Sequence, residues 1–362
     1  VQADNFTDAE ESVIPVLSNR ELVTETVPIW QLGNETKKYE LTNLLKNESS
    51  SLENHQLKID VSNNATWLMM QSLPYLYEYP YDCSEQLFAK YYAYAIAAYI
   101  LETNESIQKL VAAWRENPKS KFEENEELNQ ILNQDLPWLK DLMSDDEKKA
   151  QFVSFFDEQS LLQKVDKIED VLIERQTQSG GLPWFDGGEA SNYITNHILV
   201  TAAKLKKLGI QPSFIATDKE TKFINKANTY LDVTFNYLFT KDKEATLFEI
   251  IDYALVKSYY ADVFTIPEKN KERIEKRLAE LRNDWITLPL YEKAKLIIIA
   301  NSKGDKQWAN EMANQLEQTA VLDETYGMYW RENVSTYYFY YNEAEVQALI
   351  VEAFKEVKKP QE

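Results

Sequence analysis

The chemistry this sequence could do is concentrated in one stretch, Pro80-Tyr81-Asp82-Cys83-Ser84-Glu85-Gln86. Cys83 is the only cysteine of the chain, and Gln86 follows it at i+3. On a turn entering a helix those two positions share a face, so the sulfur can reach the glutamine side-chain carbonyl. Attack of the thiol on that carbon, with loss of ammonia, would close an internal thioester. Such a bond stores an acyl group on a good leaving group with no cofactor, and it lasts only where water is kept out. Tyr75, Tyr77, Tyr79 and Tyr81 next to the cysteine suit that need. The plainer reading of a lone cysteine is a small buried hydrophobe.

A second concentration lies downstream. Of eight glycines in the whole chain, Gly180, Gly181, Gly187 and Gly188 crowd into residues 180–188, around Leu182-Pro183-Trp184-Phe185-Asp186. So many glycines in a glycine-poor protein mark a loop with demanding backbone geometry, holding two aromatics at a surface or site. Its bland alternative is a helix–helix connection with buried aromatics.

Composition narrows what else the chain can be. Its 362 residues exceed what one hydrophobic core usually serves, which predicts one large domain and an appendage. With 39 basic and 59 acidic residues the net charge is −20, a surface that repels phosphate backbones and argues against nucleic acid as a partner. Two histidines and one cysteine leave no histidine- or thiolate-rich metal site and no intrachain disulfide; no cofactor is expected. The longest aliphatic run, Leu296 to Ala300, is far short of the ~20 residues of a membrane helix. No charged segment followed by an apolar stretch opens the chain, so no targeting peptide is expected in it.

The elements that must position these residues change character near residue 65. Before it, Leu22–Val27, Lys38–Thr42 and Gln56–Val61 alternate near period two and read as strands, with Lys46–Asn54 as a hairpin-type connection. After it the pattern is helical. Phe88, Tyr91, Tyr92, Ala95, Ile96 and Tyr99 form one apolar face. Ser144 with Glu147 and Thr217 with Glu220 read as capping boxes. Gly209 ends a helix that starts near Asn192. Pro267 takes a first-turn position before Glu268–Leu281, Pro289 and Asp305 open two further helices, and Glu343–Val357 forms the last. Helices with short links recurring over most of the chain predict paired antiparallel helices, stacked in an array or closed into an α/α toroid. The expected fold is therefore mainly α: residues 1–65 a β-strand segment, residues 66–362 the helical domain.

At this point the sequence resembles a family. Cys83-Ser84-Glu85-Gln86 is similar to the Cys-x-Glu-Gln thioester motif of the alpha-2-macroglobulin and complement superfamily, in its bacterial branch. Trp67–Tyr79 resembles the helix before that motif. Gln176–Phe185 with Gly187-Gly188 resembles the family's glycine-rich Trp-Phe loop, and Tyr193-Ile194-Thr195 its next element. Gly327-Met328-Tyr329-Trp330 and Tyr341–Ala353 are similar to the segment that follows. Residues 1–65 resemble strands of the CUB-like domain that the thioester domain interrupts. The resemblance implies an α/α toroid and a fragment of a protease inhibitor that traps attacking proteases covalently, without enzymatic turnover. Its partners would be proteases and amine nucleophiles, with other domains of its own full-length chain, on the periplasmic or outer side of a cell envelope. Cys83 and Gln86 would form the thioester, Glu85 would support the turn, and Tyr79, Tyr81, Trp184, Phe185, Tyr329 and Trp330 would shield it. Asp82 and Ser84 depart from the glycines that flank the cysteine in many animal members. Some members use a downstream histidine for acyl transfer; His197 falls inside the helix from Asn192 and reads as a structural residue, and His55 lies in the β-part.

Two other classes share the expected fold. A glycosidase needs two carboxylates in a cleft, and none here is marked by a motif. Gln176…Gly180…Trp184 is similar to the Gln–Trp motif of terpene cyclases, but Asp145-Asp146 lacks the spacing of their acid. A non-reactive interaction module that has lost its thioester is the remaining alternative.

Overall fold

The computed structural model describes residues 81–115, 152–156, 158–210, 218–239, 245–323, 327–335 and 342–357, together with 2–3, 6–7, 23–27, 36–54 and isolated positions up to 76. The chain divides into two compact units: Val1–Asp60 with Val321–Tyr329, and Val61–Ala320 with Trp330–Glu362. The division falls at Asp60 rather than near 65, and Val321–Tyr329, expected in the helical domain, groups with the N-terminal segment.

In the smaller unit, β1 (Gln2–Ala3) pairs antiparallel with β2 (Phe6–Thr7). Of the expected strands Leu22–Val27 and Lys38–Thr42, residues 23–27 and 38–41 have no regular structure, and Thr42–Leu45 forms a short helix, α1. The Glu25 carboxylate, distant in sequence, accepts from the backbone N–H groups of Asn43 and Leu44 at 3.1 and 2.9 Å, donors left free at the start of α1. Of the third expected strand only Leu57 and Ile59 lie among the described residues, both exposed.

Among its described residues the larger unit is helical apart from one short hairpin. Its helices are α2 (Ser84–Thr103), α3 (Glu105–Arg115), α4 (Glu158–Arg175), α5 (Asn192–Lys207), α6 (Asp218–Tyr237), α7 (Leu247–Tyr259), α8 (Glu268–Asp284), α9 (Leu290–Ser302), α10 (Lys306–Thr319) and α11 (Glu343–Val357). Strands β3 (Leu182–Pro183) and β4 (Ala190–Ser191) pair between α4 and α5. The hairpin β5 (Val321–Asp323) and β6 (Gly327–Tyr329) belongs to the smaller unit.

Helix patterns sort into two kinds, and packing follows the sorting. In α7 the residues Tyr253 to Lys257 are all buried, and in α9 so are Glu292 to Ala300. A helix buried on every side must be surrounded by others. That accounts for the aliphatic run Leu296–Ala300, where each buried leucine or isoleucine contributes roughly 1.5–3 kcal/mol. By contrast α8 buries Asn270, Ile274, Leu278 and Leu281, and α10 buries Trp308, Ala309, Met312, Ala313 and Leu316, one face each. Helix α2 packs on α4 and α5, α5 on α6 and α7, α7 on α8 and α9, and α9 on α10 and α11. Around α2 burial is wider than the single expected face. Ala93, Tyr94, Ala97, Ile100 and Leu101 are buried besides Phe88, Tyr91, Ala95 and Ile96, and Tyr94 stacks on Phe155 at 5.4 Å.

Several helix ends match the sequence reading. Gly209 follows α5 with φ +79°, and the N–H of Ile210 reaches back to the Leu205 carbonyl. Asp305 caps α10 by accepting from the Trp308 N–H at 3.3 Å. Pro267 sits one residue before α8, as its N-cap rather than in its first turn, and Pro289 does the same for α9. A capping box does form, but at Thr246 and Glu249. The expected Ser144–Glu147 box, and Thr217 of the other, lie outside the described residues.

Candidate functional site

Cys83 is the N-cap of α2, with φ −67° and ψ 160°. Its carbonyl accepts the first helical bond from Leu87 at 2.9 Å, and only 5% of its surface is exposed. Ser84 is already helical, a conformation open to any residue, so glycine is not required after the cysteine. Instead the flanking residues are tied down. The Asp82 carbonyl accepts from Arg175 Nη1 at 2.6 Å, and the Asp82 carboxylate pairs with Lys90 at 3.0 Å. The Ser84 N–H donates to the Trp184 carbonyl at 2.8 Å. This last bond brings the two concentrations of the sequence together: the glycine-rich loop holds the cysteine turn through its backbone.

The first turn of α2 then places the remaining groups. The Cys83 thiol donates to Glu85 Oε2 at 3.9 Å. Gln86 Oε1 is buried and accepts no hydrogen bond. A buried carbonyl without a donor is costly.

The loop opposite is clamped at several points. Gln176 Nε2 donates to the carbonyls of Gly180 and Phe223 at 2.8 and 2.9 Å. Gly180 has φ +92°, and a Cβ there would lie 2.3 Å from the Lys226 carbonyl oxygen. At Gly181 a Cβ would run into the Tyr230 ring, whose hydroxyl donates to the Ala190 carbonyl at 3.0 Å. The Leu182 N–H is taken by Thr195 Oγ1 at 2.9 Å. So α5 and α6 fix the loop, and the loop fixes the turn. The Trp184 ring stacks on Tyr193 at 5.6 Å, and Tyr193 stacks on His197 at 6.1 Å.

Burial raises the Glu85 pKa from the usual carboxylate range; the cysteine S–H partly offsets this, and the nearby Glu345 carboxylate adds to it. Glu345, on α11, accepts from the Tyr291 hydroxyl of α9 at 2.7 Å. Burial first, and then Glu345, push the Tyr291 hydroxyl far up, so it stays a donor. His197 is lowered to about 4 by burial and by Lys204, which leaves it neutral at physiological pH. Among the described residues no group of three or more His, Cys, Asp or Glu could hold a metal ion, and no helix is long and apolar enough to cross a membrane.

The structure thus collects Cys83, Glu85, Gln86 and Trp184. The other expected shield residues are placed differently. Tyr81 and Phe185 are 64% and 65% exposed. Trp330 is buried, but its Nε1 donates to the Leu316 carbonyl at 2.9 Å and its ring meets Phe354, so it serves the packing of α10 and α11. Tyr329 belongs to β6 of the smaller unit, and Tyr79 and His55 lie outside the described residues. His197 is on α5, two rings behind Trp184. Sequence reasoning gave no role to Arg175, Tyr193, Tyr291 or Glu345. Tyr193 and Glu345 lie in segments that carry the resemblance, but no local rule gives any of the four a role, because each arrives there from a different helix. Comparison with protein-family models, with curated proteins and with solved structures found no match to this chain.

Proposed function

We propose that this chain carries the thioester of an alpha-2-macroglobulin-like protease trap of bacterial type. The observation that carries the reading is the first turn of α2: a buried cysteine, and at i+3 a glutamine whose carbonyl is buried and accepts no hydrogen bond. Cys83 supplies thiol and leaving group, and Gln86 supplies the acyl carbon. The resemblance of the Cys-x-Glu-Gln motif and of the glycine-rich loop supports it, as does the hydrogen bond that joins them. Trp184 and Tyr193 form the inner part of the shield, while Tyr81 and Phe185 await cover from other domains of the full-length chain. Once exposed by cleavage of a bait segment, the thioester acylates a lysine of the attacking protease; thiolate leaves more readily than an amine, so the amide is stable. The protein is used up in the event and is no enzyme. Its place is the periplasmic or outer side of a cell envelope.

The fold reading within this proposal is an α/α toroid. Helices α2, α5, α7, α9 and α11 follow one another as packing neighbours, and α4, α6, α8 and α10 each lie against one or two of them. Links across the set support closure. Glu352 of α11 pairs with Lys204 of α5 at 3.1 Å and accepts from Tyr259 of α7 at 2.5 Å. Its charge also raises the Tyr92 pKa of α2, after burial, as Glu345 does for Glu85.

Intact mass before and after methylamine tests the function. The native chain should be lighter than its sequence by one ammonia and should gain one methylamine, with Cys83 released. In the full-length protein Cys83→Ala should abolish protease adducts that survive boiling in detergent and leave bait cleavage unchanged. A mass indifferent to methylamine in freshly prepared protein, or adducts that persist in Cys83→Ala, would overturn the reading.

A further inference from the structure

The turn holds a carboxylate that the covalent chemistry above leaves without a task. Glu85 accepts from the Cys83 thiol at 3.9 Å, one residue before the glutamine whose carbonyl is the acceptor of the acyl bond. From α11 the Glu345 carboxylate faces it, and Glu345 is held at 2.7 Å by Tyr291 of α9. The other charged groups at the turn, Asp82, Lys90 and Arg175, are engaged with one another, and among the described residues no lysine or arginine forms an ion pair with Glu85. A carboxylate in water is a poor base for a thiol. One that is half-buried, with a second carboxylate beside it and no cation, binds a proton more strongly.

We propose that Glu85 is the acid–base catalyst of the thioester, taking the Cys83 thiol proton as the sulfur attacks Cδ of Gln86 and passing it to the departing amide nitrogen. The S–Cδ bond forms, the Cδ–N bond breaks, ammonia leaves and Glu85 returns to the carboxylate. No other reactant is needed. When an amine opens the bond, Glu85 takes the proton of the attacking nitrogen and delivers it to the leaving sulfur. Glu345, kept in place by Tyr291, is a positioning residue that sets how strongly Glu85 holds its proton. The inference rests on the thioester reading and adds the group that makes the bond form.

The test is ring closure in the whole chain. Protein whose thioester has been opened with ammonia, which restores the Gln86 amide and the Cys83 thiol, is freed of ammonia and diluted from denaturant into native buffers over a range of pH, and loss of titratable thiol is followed with the mass loss of one ammonia. Circular dichroism reports the fold. Wild type should close at rates that rise in the carboxylate range. Glu85→Gln should close roughly 10²-fold or more slowly. Its rate should no longer rise through the carboxylate range. Glu345→Gln, with one negative charge fewer beside Glu85, should move the wild-type rise to lower pH. A folded Glu85→Gln that closes at the wild-type rate overturns the proposal. If Glu85→Gln does not fold, an unshifted profile in Glu345→Gln overturns it. A wild type that folds and never closes defeats the thioester reading, and this inference falls with it.

Discussion

His197 is stacked on Tyr193, and Tyr193 on Trp184, the residue whose carbonyl accepts from the Ser84 N–H. The His197 pKa is about 4 in the folded chain against 6.5 outside it, because burial disfavours the charged imidazole. The unfolded chain therefore binds more protons between those values, and folding is favoured more as pH rises through them. Stability should be fully present above pH 6.5 and fall by up to about 3 kcal/mol as pH drops toward 4. Denaturant titrations at several pH values would show the slope, and His197→Gln should flatten it. Its place within α5, stacked on Tyr193, also predicts that His197→Ala leaves the rate of methylamine incorporation unchanged, measured by mass. A large loss of acyl transfer in a folded His197→Ala protein would put the histidine among the reacting groups.

Among the elements, the hairpin of β3 and β4 governs the site, since its loop carbonyl at Trp184 holds Ser84 in place. Gly180 is its tightest point, with a left-handed φ and the Lys226 backbone in the space of a side chain. Gly180→Ala should cost about 2 kcal/mol or more, because both backbone strain and a clash with main chain must be relieved. Thermal unfolding would measure the cost. The same variant should hydrolyse its thioester faster than wild type, seen as earlier release of the Cys83 thiol. A cap gives a plainer case: Asp305→Ala removes the acceptor of the Trp308 N–H at the start of α10 and should cost about 1 kcal/mol.

For the molecule as a whole, the net charge of −20 works against compactness at low ionic strength. Added salt should therefore raise the melting temperature between about 0.01 and 0.15 M, where the screening length falls from about 30 to 8 Å. Local pairs such as Lys207–Glu356, at 2.7 Å on a partly exposed surface, are worth too little to reverse the trend. Stability itself resides in the helices buried on every side. Ile297→Ala in α9 should cost about 2–5 kcal/mol, because surrounding helices cannot all close on the gap. Leu322→Ala in β5, where the side chain is 75% exposed, should change stability by no more than about 0.5 kcal/mol.

Sequence by itself determined the features that depend on near neighbours. Helix ends at Gly209, Pro289 and Asp305, the bounds of α11, and the sharing of one turn by Cys83, Glu85 and Gln86 all follow from backbone rules acting within a few residues. Local rules misled at Lys38–Thr42. Its alternation suits a strand, but the Glu25 carboxylate, distant in sequence, caps a helical turn there. The wall of the site was beyond such rules altogether. Trp184 could be named from its glycine-rich loop, but not the Ser84 N–H it would receive. Tyr193 comes from α5, Tyr291 from α9 and Glu345 from α11, each placed by which apolar faces pack together. Trp330 and Tyr329 are adjacent in sequence, yet one is locked into the packing of α10 and α11 and the other ends a hairpin of the smaller unit. Burial is decided by the surroundings of a side chain once the helices have assembled, so only the tertiary structure could tell which aromatics line the site. The same holds for which carboxylate holds its proton, because that depends on water excluded and charges gathered by several helices at once.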